Sequence, residues 1–481
     1  MIFSKINYKS LCIECDKLLE NNNIYRVSND WLHLNRPHPI FLRKYLILEY
    51  KFFKFYFSLI LIFLGNILKI IRSLFGSIFF LHDYILFKRS IESTSNLFFS
   101  HLVNDDSRKQ IKDFYYRDFP SDLINNEETI FLYLNHLGIK FFRRRIKKKI
   151  ILPRFLPIHL EILLGFKMFI DALELLKMRY SNRNKKRIHF VSFVESISPS
   201  SINNIRFHYI VKGIIKKTNA KNVVTTFEGH AWERIIYNTV KKYGNGVRTF
   251  GYQNTFIFNH QHSIKRNLHN GFDPDFIICK GEGPLNFFKK NKFIPQKRLI
   301  NIGSDYYSKS TSNKIKNKDI LILPEADFEE CKILFEMTLN LSKVLLSSKF
   351  YFRLHPSSDK KKFHKYISKF IFSKNIILSN LSFEEDLIKT QFCLYRGSTA
   401  VLQAINYGLF AIYVDTTNLN IDILSSLELK SFKLKKYDEI HNIINMKSDD
   451  IIGFQSKTQK ALNKYFSPKN NKDLINVFSR P

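Results

Sequence analysis

The sequence predicts an α/β protein of two Rossmann-like, parallel-sheet domains facing a cleft, with a mostly helical N-terminal part. Three observations predict it. Apolar strand-length runs alternate with helical stretches from residue 187 onwards; a polar, unpatterned segment at 305–317 interrupts the alternation; and the alternation then restarts. A chain of 481 residues, 45% of them hydrophobic, suits two or three domains with cores of their own. The expected boundaries are 1–180 for the mostly helical part of the first domain, 181–310 for its Rossmann-like portion, 318–455 for the second Rossmann-like domain, and 456–481 for a closing helix and tail.

Within the first domain, Ile188–Ser196 reads as a strand and residues 200–217 as a helix. Asn222–His230 is a strand running into a turn, and Ala231–Gly244 an amphipathic helix. Val247–Thr255 is the next strand, Asp275–Asn291 gives strand, glycine turn and helix, and Arg298–Ser304 closes the series. In the second domain Asp319–Glu325 is a strand, followed by a helix to about Ser347. Lys349–Pro356 and Asn375–Asn380 are further strands. Ser382–Thr390 is a helix opened by a capping box, Ser382 with Glu385 three residues on. Phe392–Asp415 reads as buried strand, tight turn, helix and buried strand, and helices at about 437–446 and 448–466 follow.

Three loops at strand ends carry candidate chemistry, since ligands of open α/β sheets bind at the carboxyl ends of strands. The first is Phe227-Glu228-Gly229-His230, where a carboxylate can act as general base or cap the helix that starts at Ala231. The second is Arg353-Leu354-His355-Pro356, where His355 can donate to a phosphate or serve structurally. The third is Arg396-Gly397-Ser398-Thr399. Gly397 lets the backbone turn sharply, and Ser398 or Thr399 can cap a helix whose free N–H groups suit a phosphate. Arg353, Glu325, Gln253 and Arg396 are further strand-end candidates, each equally placed for a salt bridge. His230 and Trp232 can line the same loop, with Trp232 also suited to a core. A base on one domain and donors for a charged leaving group on the other fit group transfer from an activated nucleotide. No strand end carries a pair of acids for a divalent ion, and GxGxxG, GxxxxGK[ST] and GxSxG are all missing.

A net charge of +34 invites a nucleic-acid reading. The basic residues are spread along a Lys-, Asn- and Ile-rich chain without a zinc-finger, RNA-recognition or helix-turn-helix signature, so no nucleic-acid partner is expected. Two features point to a membrane surface: the dense cluster Arg143–Lys149 between apolar flanks, and the uncharged run Phe55–Leu68. That run is bounded by Lys54 and Lys69 and is shorter than the roughly twenty residues of a spanning helix; it suits a buried core helix or a monotopic one. The five cysteines form no disulfide framework, and Cys12-Ile13-Glu14-Cys15 has no second pair at zinc-ligand spacing. With no signal peptide read at the start, the expected location is the cytoplasm at the inner face of the cell membrane.

Taken together, Glu228-Gly229, His355-Pro356 and Ser398-Thr399 resemble, in order, the acidic-Gly, HP and Ser-Ser/Ser-Thr motifs of bacterial sialyl-, polysialyl- and Kdo-type transferases. The stretch Phe227–Thr255, with Glu228–Glu233 and Gly251-Tyr252-Gln253-Asn254, is similar to bacterial surface-carbohydrate and capsule biosynthesis proteins, as is the FFRRR run. The resemblance covers roughly residues 130–415. It implies a GT-B fold and an inverting, metal-independent glycosyltransferase without cofactor. Its donor would be a nucleotide sugar, CMP-linked by preference with UDP or GDP open, and its acceptor a surface polysaccharide or lipid-linked glycan. It implies Glu228 as base and His355 at the donor phosphate. Arg353, Pro356, Gly397, Ser398, Thr399 and Glu325 would line the donor site, and His230, Trp232 and Gln253 the acceptor side. Phe227 stands where that family often has a second acid, which leaves the donor nucleotide open. The alternatives are a CDP-polyol phosphotransferase of similar fold and a non-catalytic assembly protein.

Overall fold

The computed structural model describes residues 5–20, 23–35, 44–102, 113, 115–116, 119–124, 128–136, 148–178, 183–257, 261–269, 271–291, 295–305, 307, 318–356, 358–416, 422–427 and 431–479. The basic cluster at 143–147 and the linker at 308–317 lie outside them. Helices α1 (Lys5–Leu19), α2 (Phe52–Phe79) and α3 (Leu81–Ser90) precede strand β1 (Asn96–Leu102), which is followed by β2 (Thr129–Asn135) and β3 (Lys149–Ile151). Helices α4 (Ile158–Lys177), α5 (Arg183–Ser196) and α6 (Pro199–Ile215) lead to β4 (Asn222–Thr226). Then come α7 (Ala231–Tyr243), β5 (Arg248–Tyr252), β6 (Phe276–Cys279), α8 (Glu282–Asn291) and β7 (Leu299–Asn301). The second domain runs β8 (Ile320–Leu323), α9 (Phe328–Val344), β9 (Phe350–Phe352), α10 (Lys360–Ile367), β10 (Ile376–Leu378), α11 (Phe383–Lys389), β11 (Phe392–Tyr395), α12 (Ala400–Asn406), β12 (Phe410–Val414) and β13 (Phe432–Leu434). Helices α13 (Ser448–Tyr465) and α14 (Lys472–Phe478) follow.

Both sheets are wholly parallel. The first has the order β3-β2-β1-β4-β5-β6-β7 and the second β10-β9-β8-β11-β12-β13. Each is doubly wound and changes winding direction once, between β1 and β4 and between β8 and β11, which is where such sheets open a ligand crevice. Parallel sheets are covered on both faces, so alternate residues of one strand feed different cores. Leu97 and Phe99 of β1 pack with Leu132 and Val223 on one face; Phe98 packs with Phe131, Val224 and Phe250 on the other. Likewise Ile320 and Ile322 enter one core of the second domain, and Leu321 and Leu323 the opposite one.

The first sheet draws on both sides of residue 180. Strands β1–β3 come from the part expected to be mostly helical, and β1 pairs in parallel with β4. They are short apolar runs set among apolar helices, where periodicity does not separate a buried strand from a helix. The reverse holds at Ile188–Ser196, expected as a strand and found inside α5. Its buried Ile188, Val191 and Val194 face one core, while Phe190 and Phe193 contact Tyr56 and Phe63 of α2. A helix covered on two sides reads as one continuous apolar run.

Helix α2 is also longer than the uncharged run suggests. It continues through Lys69 and Arg72 to Phe79, 28 residues in all, because both cations stay exposed and interrupt no packing.

The two domains are joined at their edges. Helix α13 packs on α12, and its Tyr465 ring stacks 4.7 Å from Phe256 of the first domain. Helix α14 then returns to the first sheet, where Arg248 donates to the Val477 carbonyl at 2.6 Å and Phe478 lies 4.6 Å from Phe250. Phe478 is almost wholly buried, so Phe478→Ala should cost about 3–5 kcal/mol. Urea denaturation followed by fluorescence should show the loss as an earlier midpoint.

Candidate functional site

Each winding-reversal point collects residues expected from the sequence. At the first, β4 ends in Thr226 and the chain turns through Phe227, Glu228, Gly229 and His230 into α7. Gly229 has φ +82, and a Cβ there would stand 2.5 Å from the Ser263 backbone. Glycine is required on both counts. The backbone N–H groups of Glu228, Gly229 and His230 all donate to the Glu233 carboxylate, at 3.0, 2.8 and 2.9 Å. The helix-capping carboxylate is therefore Glu233, with His230 as the first residue of the capping box, and not Glu228. Burial pushes Glu233 up to about 7, with the neighbouring Glu228 adding to the rise and His230 opposing it.

The Glu228 carboxylate faces His230, with Oε2 3.6 Å from Nε2. Asn35 Nδ2 meets His230 Nδ1 at 2.7 Å. With Asn35 donating, Nδ1 is the acceptor and the ring proton sits on Nε2, toward Glu228. The Glu228 carbonyl accepts from Ser263 Oγ at 3.0 Å and Gln261 Nε2 at 3.3 Å. Trp232 is buried in the main core, as one of its two readings allowed, and it also meets the edge of His101 at 5.3 Å.

Two residues that sequence reasoning missed, His101 and His136, complete this end of the sheet. They lie at the ends of β1 and β2, and His101 Nδ1 is 2.8 Å from His136 Nε2. His101 Nε2 is 3.4 Å from Thr226 Oγ1, which in turn donates to Glu233. Desolvation, and after it the neighbouring His230, hold His136 below the usual imidazole range. The signal that would have found them is polar residues closing apolar runs, NLFFSHL and TIFLYLNH, once those runs are taken as strands. Gln253 follows β5 and is buried; among the described residues its Oε1, like Asn35 Oδ1 and Asn254 Oδ1, has no hydrogen-bond partner. Buried amide oxygens left so are acceptors waiting for a donor.

At the second reversal point the expected residues fall on three adjacent loops: Glu325 after β8, Arg353, His355 and Pro356 after β9, and Gly397, Ser398 and Thr399 after β11. Gly397 has φ +66, the left-handed turn expected of it. Thr399 is the N-cap of α12 but adopts helical φ/ψ, and its side chain makes no capping bond. The hydroxyl cap expected at Ser398 or Thr399 is therefore not formed; backbone carbonyls of Ser398 and Thr399 take the N–H groups of Val401 and Leu402 at 3.3 and 3.1 Å instead. The two strand-end arginines hold structure together. Arg353 binds Asp386 at 2.8 Å and the Leu381 carbonyl at 2.7 Å. Arg396, fully buried, binds Glu330 at 2.6 Å and the Val414 carbonyl at 2.6 Å. Phe227 fills a core with Tyr237 and Phe288.

Phe256, three residues past Gln253, stacks on Tyr465 of α13 and belongs to the same buried cluster as Leu323, Tyr395 and Val401 of the second domain.

No protein-family model and no curated protein matches the chain. Solved structures with a similar course include a glycosyltransferase of kitacinnamycin, 8% identical over 80% of this chain and 99% of that one, TM-score 0.47. The MnaA–UDP structure from S. aureus is 11% identical over 78% and 93%, TM-score 0.46. The UDP-GlcNAc 2-epimerase of Methanocaldococcus jannaschii, in complex with UDP-GlcNAc and UDP, is 13% identical over 80% and 99%, TM-score 0.43. At this distance they assign neither family nor ligand.

Because Glu233 holds three consecutive amides, Glu233→Gln should turn an amide NH2 toward backbone donors and cost about 1–3 kcal/mol. A thermal or urea melt checks the loss.

Proposed function

We propose that the protein is an inverting, metal-independent glycosyltransferase. It moves a sugar from a nucleotide donor, CMP-linked by preference with UDP or GDP open, to a hydroxyl of a surface polysaccharide or lipid-linked glycan. The observation that carries the reading is the pairing of chemistry with topology. A carboxylate–histidine pair stands at one winding-reversal point, and a His loop and a Gly-Ser-Thr turn stand at the other, on two doubly wound parallel sheets.

The acceptor hydroxyl loses its proton to Glu228 as its oxygen bonds to the anomeric carbon. The bond from that carbon to the donor phosphate oxygen breaks with its electron pair, leaving the nucleotide. His230 Nε2–H faces the carboxylate and keeps it oriented, and Asn35 fixes the ring. Charge growing on the departing phosphate is met by His355 and by the Gly397–Thr399 turn ahead of α12. Arg396, fully buried and ion-paired to Glu330, shapes its loop, while Arg353, paired with Asp386 through Nη1 and partly exposed, is placed to reach the donor. Gln253 and Asn35 offer buried amide oxygens to acceptor hydroxyls.

Glu228→Gln should abolish transfer in a radiolabelled-sugar assay and leave donor binding nearly intact; full activity would end the base assignment. In a thermal-shift screen with CMP, CDP, UDP, GDP and their sugars, a ligand at a hundredfold its dissociation constant stabilises by about 2.7 kcal/mol. His355→Ala should remove that shift. The absence of a shift with every nucleotide would favour a non-catalytic assembly protein, and mass spectrometry of the product separates sugar from polyol-phosphate transfer.

A further inference from the structure

Helices α2, α3 and α4 present an apolar face to the outside. Along α2 the exposed positions include Phe53, Phe57, Leu61, Leu64, Leu68 and Phe75, a stripe spaced by three, four or seven residues over the whole helix. The neighbouring α4 adds Phe166, at 65% exposure, and Ile170. A contiguous apolar surface of this kind on one side of a domain marks a contact with something else.

The charges of these helices are sorted. No acidic residue occurs in α2. Asp83 of α3 is buried, and Glu161 and Asp171 of α4 are turned inward to Arg206 and Arg26, at 2.8 and 2.9 Å. Of the acids on α2–α4, only Glu174 is exposed, and it lies 3.7 Å from Arg26. The cations Lys54, Lys69, Arg72 and Lys167 are all exposed beside the stripe. An apolar face fringed by cations and cleared of anions fits an anionic bilayer. Pairing with a second copy would instead set like charges against each other.

At about 1.5 Å per residue α2 is long enough to cross a hydrocarbon core, but its other side is fixed to the domain throughout. Asn66 donates to the Val194 carbonyl at 3.0 Å, Phe63 stacks on Phe193 at 5.9 Å, and the Arg187 guanidinium lies 4.7 Å over Phe55. Further along, Ser73 bonds Arg206. Spanning would break all of these and leave the α5 surface bare. We infer that α2 and α4 lie in the plane of an anionic membrane surface, with the Phe57–Leu68 face and Phe166 among the acyl chains and the cations at headgroup level. The surface is thus a monotopic dock, independent of the donor chemistry proposed above.

The test is co-sedimentation of the full chain with phosphatidylcholine vesicles, with and without phosphatidylglycerol. Binding should require phosphatidylglycerol, weaken in high salt, and be released by alkaline carbonate. Leu61→Ser/Leu64→Ser/Leu68→Ser should bind roughly a hundredfold more weakly, and Lys69→Glu/Arg72→Glu should lose the phosphatidylglycerol preference, with unchanged circular dichroism in both. Retention through carbonate would show a spanning helix and overturn the in-plane placement. An absence of vesicle binding would overturn the dock, and a wild-type dimer made monomeric by the triple substitution would assign the face to a second copy. None of these readouts involves sugar transfer, so the dock and the transferase reading fail separately.

Discussion

One buried carboxylate organises the first domain's site. Three successive amides at the end of β4 need an acceptor in a place water does not reach, and Glu233, one turn into α7, supplies it. Because both its oxygens are occupied by backbone, the loop has a single shape. That shape requires left-handed Gly229 and presses the loop on Ser263. It also releases Glu228 from any capping duty and turns it to His230. The short helix at 262–265 is in turn held from the N-terminal side: Ser263 N–H donates to the Leu34 carbonyl at 3.0 Å, and Asp16 of α1 takes His262 and Arg266. Residues 5–20 and 23–35 thus act as a brace around the site, delivering Asn35 to His230.

The two domains use one topology for two kinds of environment. The first reversal point gathers imidazoles, a carboxylate and buried amides, groups that hold and move protons. The second gathers a left-handed glycine turn, hydroxyls and a histidine, while its two arginines are neutralised by Asp386 and Glu330. A guanidinium without exposure is stable only with its carboxylate, so Arg396, fully buried, fixes loop geometry and contributes little net charge to the crevice.

Much of this was legible from residue pattern, and the exceptions have physical causes. Phe392–Asp415 is read correctly because its strands are fully buried and its turn residues are unambiguous, and Ser382 with Glu385 forms the capping box its spacing implies. The α5 run and strands β1–β3 are misread for the same reason: an element covered on both sides loses its period. His101 and His136 depend on those strands, so missing β1 and β2 meant missing the imidazole pair. The cap at Thr399 fails because backbone carbonyls already serve the first turn. Arg396 takes the salt bridge its strand-end position allowed, but its partner Glu330 is 66 residues away in sequence, so no local motif names it.

The return of α14 to the first sheet has a consequence for how the chain acquires its structure. Phe478 joins Phe98, Phe131 and Phe250 in a core that strands β1, β2 and β5 build hundreds of residues earlier. Tyr116 and Phe119 cover part of that face from within the first domain, but during synthesis the part under Leu474 and Phe478 waits until the second domain has been made and passed. Domains ordinarily fold as they emerge; here the last part of the first domain's core closes only when residues 472–478 arrive.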